Sequence, residues 1–125
     1  MKKISLLLFT ALVITSCQNK QSFSVHGIIH GAKQNYIYLN RVNVNMLIPL
    51  DSSKISGTGK FKFKIKASEP DFYQVGFTKK DFINLLAEPG EKIKLDFAGN
   101  NLYSGYTVSG SKGSGQVRML DVRLT

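Results

Sequence analysis

The chain has 125 residues, with 17 lysines and arginines against 8 aspartates and glutamates, for a net charge of +9 at pH 7. This length suits one domain with a modest core, and the basic balance favours anionic partners. The single cysteine excludes an internal disulfide and a thiol redox pair within these residues.

The first segment, residues 1–16, has the pattern of a secretory signal peptide. Lys2 and Lys3 precede an apolar run from Ile4 to Ile14, which is shorter than the roughly 20 apolar residues of a membrane-spanning helix. The run ends in Ile-Thr-Ser-Cys17, which resembles the lipobox of bacterial lipoproteins. That resemblance implies cleavage before Cys17, acylation of this cysteine and a stable membrane anchor. The alternatives are a signal peptide without lipidation and a transmembrane anchor.

Residues 17–22 form a short polar tether that contains no acidic residue. Removal of Lys2 and Lys3 with the signal leaves 15 basic and 8 acidic residues, a net charge of +7. Export argues against nucleic acid as the anionic partner. Gln18, a residue other than aspartate after the lipidated cysteine, resembles an outer-membrane address, so we expect an anchor in the outer membrane that faces the periplasm.

From Phe23 onward the hydrophobic period is two, which is typical of strands. The clearest segment is Lys60 to Lys66, in which apolar side chains take one face and four lysines the other. Further strands are predicted at residues 23–30, 36–39, 46–50, 71–78, 82–87, 92–97 and 106–108. Pro49 favours an edge strand or a bulge, the apolar run 82–87 favours burial on both faces, and Pro89-Gly90 favours a type II turn.

About eight short strands separated by turn residues predict an all-β sandwich or barrel. We expect an antiparallel β-sandwich of about 7–8 strands over residues 23–110. The signal peptide would form a helix before it, and the start of a C-terminal helix would follow.

The tail, residues 111–125, changes to a helical period. Val117, Leu120 and Leu124 share one face of a helix, with Ser111 or Ser114 as its N-cap. The sequence ends about two turns into this helix, which we interpret as the start of a linker. We therefore expect the chain to be the front part of a longer protein or a truncated gene product.

The order of these segments resembles a known domain. The stretches FSVHGIIHG, LDSSKISGTGKFKFKIK, EPGEKIKLDF and YTVSGSKGSGQVRML are similar to the uncharacterised β-sandwich domain (DUF4369-type) at the N-terminus of thioredoxin-like (TlpA/ResA, AhpC/TSA-related) bacterial lipoproteins. In that class a helical linker and a thioredoxin fold with reactive cysteines follow. The resemblance therefore implies a thioredoxin-like domain as a partner, which these residues do not contain.

One candidate binding site is a row of lysines. Lys60, Lys62, Lys64 and Lys66 lie on one strand face, and Lys92 and Lys94 are candidates to extend the row. They could bind anionic headgroups or phosphate-bearing glycans near the membrane. The alternative is a solvated face whose lysines prevent pairing at a sheet edge.

Other candidate sites are weaker. His26 and His30 lie about 13 Å apart along an extended strand, too far to share one metal ion, so no metal site is predicted. The glycine-rich stretch Gly110–Gly115 lacks the spacing of a phosphate-binding loop. Glu88 and Glu91 flank a turn and could pair as acid and base, although turn carboxylates are usually only solvated. We predict no cofactor and no catalytic residue.

Two functions follow from the sequence. The first is a non-catalytic, lipid-anchored accessory domain of an envelope thiol-disulfide oxidoreductase-like lipoprotein. The second is a complete small lipoprotein that binds anionic envelope components through its lysine-rich face. An independent enzyme has no residue in its favour.

Overall fold

The computed structural model describes the backbone of residues 21–99 and 101–124 and the side chains of residues 21–99 and 101–120. The predicted signal peptide and Cys17 lie outside these residues. The described part contains the following elements: β1 (Ser22–Ile29), β2 (Tyr36–Val42), β3 (Leu47–Lys54), β4 (Lys60–Lys66), β5 (Asp71–Gly76), β6 (Phe82–Ala87), β7 (Lys92–Phe97), β8 (Tyr106–Ser109) and α1 (Lys112–Leu124). Within it, no helix is both long and apolar enough to cross a membrane.

The strands form two four-stranded sheets in a sandwich-like arrangement, which confirms the prediction of a mostly β fold. Sheet A has the order β4-β1-β7-β8, and sheet B has the order β3-β2-β5-β6. One pairing departs from the predicted antiparallel pattern, because β1 and β7 are parallel. After β1 the chain forms β2 and β3 of sheet B and returns to sheet A as β4. It then forms β5 and β6 of sheet B and enters sheet A again as β7, in the same direction as β1.

The core lies between the sheets and follows the alternation of the strands. In β4, Phe61, Phe63 and Ile65 are buried while the lysines between them are exposed, as the period of two predicts. Sheet B contributes the inward residues of β2, β5 and β6, and Tyr73 contacts Phe23 across the core with ring centroids 4.8 Å apart. Among the described residues, the buried core runs from Phe23 to Tyr106, so a chain that starts at Gln18 keeps all of this core.

Phe61 occupies the space over a glycine on the neighbouring strand. Gly27 is its direct partner in the β1–β4 pairing, and a Cβ atom at Gly27 would lie 2.2 Å from Cζ of the Phe61 ring. The ring packs further against Phe63 and Phe97, at centroid distances of 5.9 and 6.2 Å. Because these neighbours surround the ring, position 27 has no room for a side chain.

The pairing of β2 with β3 is irregular at one point. The register shifts between Leu39 and Asn40, and Pro49 pairs with Asn40 just beyond the shift. Because β3 is an edge strand, the proline removes no ladder bond from the interior of the sheet. The predicted edge or bulge at Pro49 is therefore confirmed.

The apolar strand β6 differs from its prediction. Ile83, Leu85 and Ala87 are fully buried, but the alternate residues on its other face, such as Leu86, are only half-buried. The two-sided burial expected from the sequence is therefore only partial, because helix α1 partly covers the outer face and packs against β6 and β8.

Two serines attach the start of helix α1 to β6. The Ser111 hydroxyl accepts a hydrogen bond from the Ser114 amide at 3.2 Å, which confirms Ser111 as the N-cap. The hydroxyls of Ser111 and Ser114 donate to the Leu86 carbonyl at 3.2 and 3.1 Å, and the Leu86 amide donates to Ser114 Oγ at 3.1 Å. A Cβ at Gly113 would lie 2.9 Å from the Leu86 carbonyl oxygen, so glycine permits this close approach.

The same helix also contacts sheet A. Arg118 Nε donates to the Tyr106 carbonyl at 2.9 Å, and its guanidinium lies 4.5 Å from the centre of the Tyr106 ring. Helix α1 thus bridges the β6 edge of one sheet and the β8 edge of the other. Of the predicted apolar face, Val117 is half-buried, whereas Leu120 is 56% exposed and does not pack on the domain.

Replacing Gly27 with alanine should destabilise the fold by about 1–3 kcal/mol, the usual cost of overpacking a core. The added methyl group would displace the Phe61 ring, which its aromatic neighbours confine. Gly57→Ala is the matched control, because a Cβ there meets no atom within 4 Å, and its effect should stay within about 0.5 kcal/mol. Urea unfolding of the two variants measures the difference, and equal stabilities would contradict this account of Phe61.

Candidate anion-binding face

Six lysines lie on the outer face of sheet A, and we call this set the lysine face. Lys60, Lys62, Lys64 and Lys66 belong to β4, and Lys92 and Lys94 belong to β7. All six side chains are exposed. Lys92 and Lys94, the two candidates to extend the row, therefore lie on the same face of sheet A as the four lysines of β4.

The lysine face depends on the position of β1 between β4 and β7. His26 pairs with Lys62 on one side and with Lys94 on the other. Ser24, two residues earlier, pairs with Lys64 and Lys92 in the same way. Directly opposite residues point to the same side of a sheet, so Ser24 and His26 each have a lysine on both flanks.

Among the described side chains, no carboxylate is in direct contact with a lysine of the lysine face, and none of the six lysines forms an ion pair within 4.0 Å. Successive lysines along β4 lie about 7 Å apart, and each such pair repels by roughly 0.6 kcal/mol even in water. A bound anion would relieve this repulsion.

Protection of an edge accounts for only part of this pattern. Lysines on β4 fit that explanation, since β4 is an edge strand and charged side chains discourage pairing with other chains. β7 lies inside the sheet, between β1 and β8, so Lys92 and Lys94 protect no edge. Edge protection therefore explains the lysines of β4 but not Lys92 and Lys94, which lie on the solvated face of an inner strand.

The two histidines have different surroundings. His30 Nε2 lies 3.1 Å from Asp96 Oδ1, and both side chains are about half exposed. His26 lies among lysines instead. In the described part of the chain, no group of three or more histidine, cysteine, aspartate or glutamate side chains is arranged to hold a metal ion.

The glutamates of the β6–β7 turn have structural contacts. Glu91 Oε1 accepts a hydrogen bond from the Glu88 amide at 3.0 Å, and the Gly90 amide donates to the Ser22 carbonyl at 2.7 Å. Gly90 has a φ of 92°, which fits the predicted type II turn. The Glu91 carboxylate therefore stabilises the turn that leads into β7.

The glycine-rich stretch before the helix is also structural. The hydroxyls of Ser111 and Ser114 are engaged with the backbone of Leu86. A Cβ at Gly110, whose φ is 83°, would lie 1.9 Å from the Lys92 carbonyl oxygen. These contacts explain the small residues without a bound phosphate.

One tyrosine has a shifted pKa. Burial raises the pKa of Tyr73 above its ordinary value, the Asp71 carboxylate raises it further, and Arg41 opposes this in part. The Tyr73 hydroxyl is therefore protonated at neutral pH, and its ring serves to fill the core beside Phe23.

The outer face of sheet B has a different chemistry. Tyr36, Tyr38 and Phe72 are 48%, 45% and 49% exposed there, and Asn40 and Gln74 pair directly between β2 and β5. The two broad faces of the domain therefore present basic groups on one side and aromatic and amide groups on the other.

The position of His26 in the lysine face could not be predicted from the sequence. Alternation shows which residues share a face of one strand, but it does not show that β1 separates β4 from β7. That order depends on a parallel pairing between residues near 25 and near 95. No local signal in the chain indicates this pairing.

Comparison with curated proteins found no match, and comparison with solved structures also found none. One family model does match, over residues 23–114, which covers all eight strands except the first residue of β1 and reaches the serine attachment of helix α1. Its description is a domain of unknown function, DUF4369. The chain therefore belongs to the DUF4369 family.

Proposed function

We propose that this protein is a lipid-anchored, non-catalytic binding module whose lysine face contacts anionic components of the cell envelope. The observation that carries the proposal is that six lysines, none in an ion pair with a described side chain, share one outer face, and two of them lie on an interior strand. Cationic side chains near an anionic membrane contribute about 1 kcal/mol each, so six together give substantial attraction.

The proposed anchor is compatible with this contact. Cys17, the expected lipidation site, precedes Ser22 by five residues, which span at most about 18 Å of extended chain. Ser22 pairs with Lys66, so the lysine face begins at the end of the domain where the tether enters. A short tether at that end would keep the lysines close to the headgroups.

We assign the anchor to the outer membrane, on its periplasmic side. Gln18 and the absence of acidic residues from the tether support this assignment. The proposal needs no cofactor and no nucleic acid.

Charge reversal on the lysine face should abolish binding to anionic vesicles. In the chain from Gln18 onward, which lacks the lipidation site, Lys62→Glu with Lys64→Glu removes two favourable contacts and adds two repulsive ones. At about 1 kcal/mol per lysine, the loss of the contacts alone weakens binding roughly thirtyfold. Co-sedimentation with phosphatidylcholine vesicles, with and without phosphatidylglycerol, measures the effect.

The matched control for this experiment is Lys79→Glu with Lys80→Glu, which makes the same change of net charge in the exposed β5–β6 turn. Its binding should remain close to wild type. Binding of the wild type should also fall as salt shortens the screening length from about 10 Å at 0.1 M to about 3 Å at 1 M. Equal losses in the two double variants, or binding that ignores salt, would disprove the proposal.

A second candidate function is an accessory domain that positions a thioredoxin-like partner domain in an envelope oxidoreductase-like lipoprotein. The attachment of helix α1 to both sheets, through Ser111, Ser114 and Arg118, favours it. A helix held at its start by two serines and further along by Arg118 would give a following domain a fixed direction.

Sequencing the gene beyond the codon for Thr125 tests the second candidate. A Cys-x-x-Cys motif in an open or frameshifted continuation would support it, because that motif carries the chemistry of thioredoxin-like domains. A stop codon with no remnant of such a motif would count against it, while leaving the lysine-face proposal intact.

A further inference from the structure

The outer surface of sheet A is not flat. It contains an open cavity of about 830 Å³ over the middle of β1, within the range of small-molecule sites. Residues that matter for its chemistry are His26, Lys60, Lys62, Lys94, Thr107 and Ser109. The cavity covers one part of the lysine face, since Lys64, Lys66 and Lys92 do not line it.

The register explains why these groups meet. Lys62, His26, Lys94 and Ser109 form one row across all four strands of sheet A. Lys60, Ile28, Asp96 and Thr107 form the next row. Each row crosses the sheet at one level, so the eight side chains form a compact patch on the same side.

Residues of sheet B also line one side of the cavity. They are Ser53 and Lys54 of β3, and the Lys62 amide donates to Ser53 Oγ at 3.1 Å. This bond holds the edge of β3 against the edge of β4. The cavity therefore has a side wall that belongs to the other sheet.

The charges of the cavity favour an anion. Lys54, Lys60, Lys62 and Lys94 line it, and Asp96 is the acidic residue among its lining groups. The Asp96 carboxylate is engaged by His30 at 3.1 Å. The lysines have no carboxylate within 4.0 Å among the described side chains, so their ammonium groups are available to a ligand.

The donor types point to a phosphate ester. Lysine binds phosphate as a point charge, and Lys62 and Lys94 lie two strand spacings apart, about 10 Å, on either side of His26. Thr107 and Ser109 offer hydroxyl donors, and half-buried Ile28 offers an apolar surface. The open cavity has room for a group attached to the phosphate, and these hydroxyl and apolar side chains would contact it.

We propose that this cavity is a discrete binding site for a phosphomonoester carried on a sugar or a lipid headgroup, with the phosphate between Lys62 and Lys94 above His26. This inference rests on the proposed function, from which it takes the anionic character of the partner. It adds one defined site within the lysine face. The hydroxyl groups and Ile28 would contact the rest of the ligand.

The test compares two matched double variants in the chain from Gln18 onward. Lys62→Gln with Lys94→Gln removes the lysines that flank His26. Lys64→Gln with Lys92→Gln removes the lysines that flank Ser24, on the same two strands but outside the cavity. All four positions are exposed, so both variants should remain folded, which circular dichroism and thermal unfolding would check.

Titration calorimetry with glucose 6-phosphate should show saturable binding of one molecule per chain, with no binding of glucose. The cavity variant should lose affinity by tenfold or more, and the control variant by less than threefold. Vesicles that contain phosphatidate, compared with phosphatidylglycerol at matched surface charge, distinguish the source of the ester. A preference for phosphatidate identifies a lipid, whereas binding of glucose 6-phosphate without that preference identifies a soluble or glycan ester.

Equal losses in the two variants would overturn the discrete site and leave the proposed function standing, because affinity would then depend on the whole face. Failure of wild type to bind glucose 6-phosphate, together with no preference for phosphatidate vesicles, would also overturn it. Saturable, cavity-dependent binding in a chain that ignores phosphatidylglycerol vesicles would support the site while contradicting the proposed function.

Discussion

β1 pairs with β4 on one side and with β7 on the other, and most features of sheet A depend on this double register. Phe23 and Val25 point into the core, and Ser24 and His26 point outward. Because successive side chains of a strand alternate, a slip of one residue would exchange these two sets. Phe23 and Val25 would then face water on the side of the β4 lysines, while Ser24 and His26 entered the core, which makes the register strongly specified.

The same constraint links stability to the proposed binding. Phe61 packs onto Gly27 in the core, while Lys62, the next residue, stands beside His26 on the outer face. The apolar packing therefore holds the cationic groups in place, although their mutual repulsion opposes it. An anionic ligand that bound between the lysines would stabilise the arrangement without any change in the core.

Much of the fold was predictable because the strands are short and regularly alternating. The four lysines of β4, the edge position of Pro49 and the cap at Ser111 all follow from local patterns. The parallel pairing of β1 with β7 does not, because it joins residues about 70 positions apart through a crossover that no local signal specifies. The hydrogen bonds between Ser114 and Leu86 of β6 also join distant parts of the chain, so local patterns do not predict them. The position of His26 between Lys62 and Lys94 is unpredictable for the same reason.

The most direct measurement is a nuclear magnetic resonance titration of the chain from Gln18 onward with glucose 6-phosphate. The account predicts that the largest shifts in amide and imidazole signals occur across one level of sheet A, at His26, Lys62, Lys94 and Ser109. Smaller shifts are expected at Ser24, one level away and outside the cavity. Shifts spread evenly along the lysine face, or centred on sheet B, would contradict the claim that the β1 register builds a defined anion site.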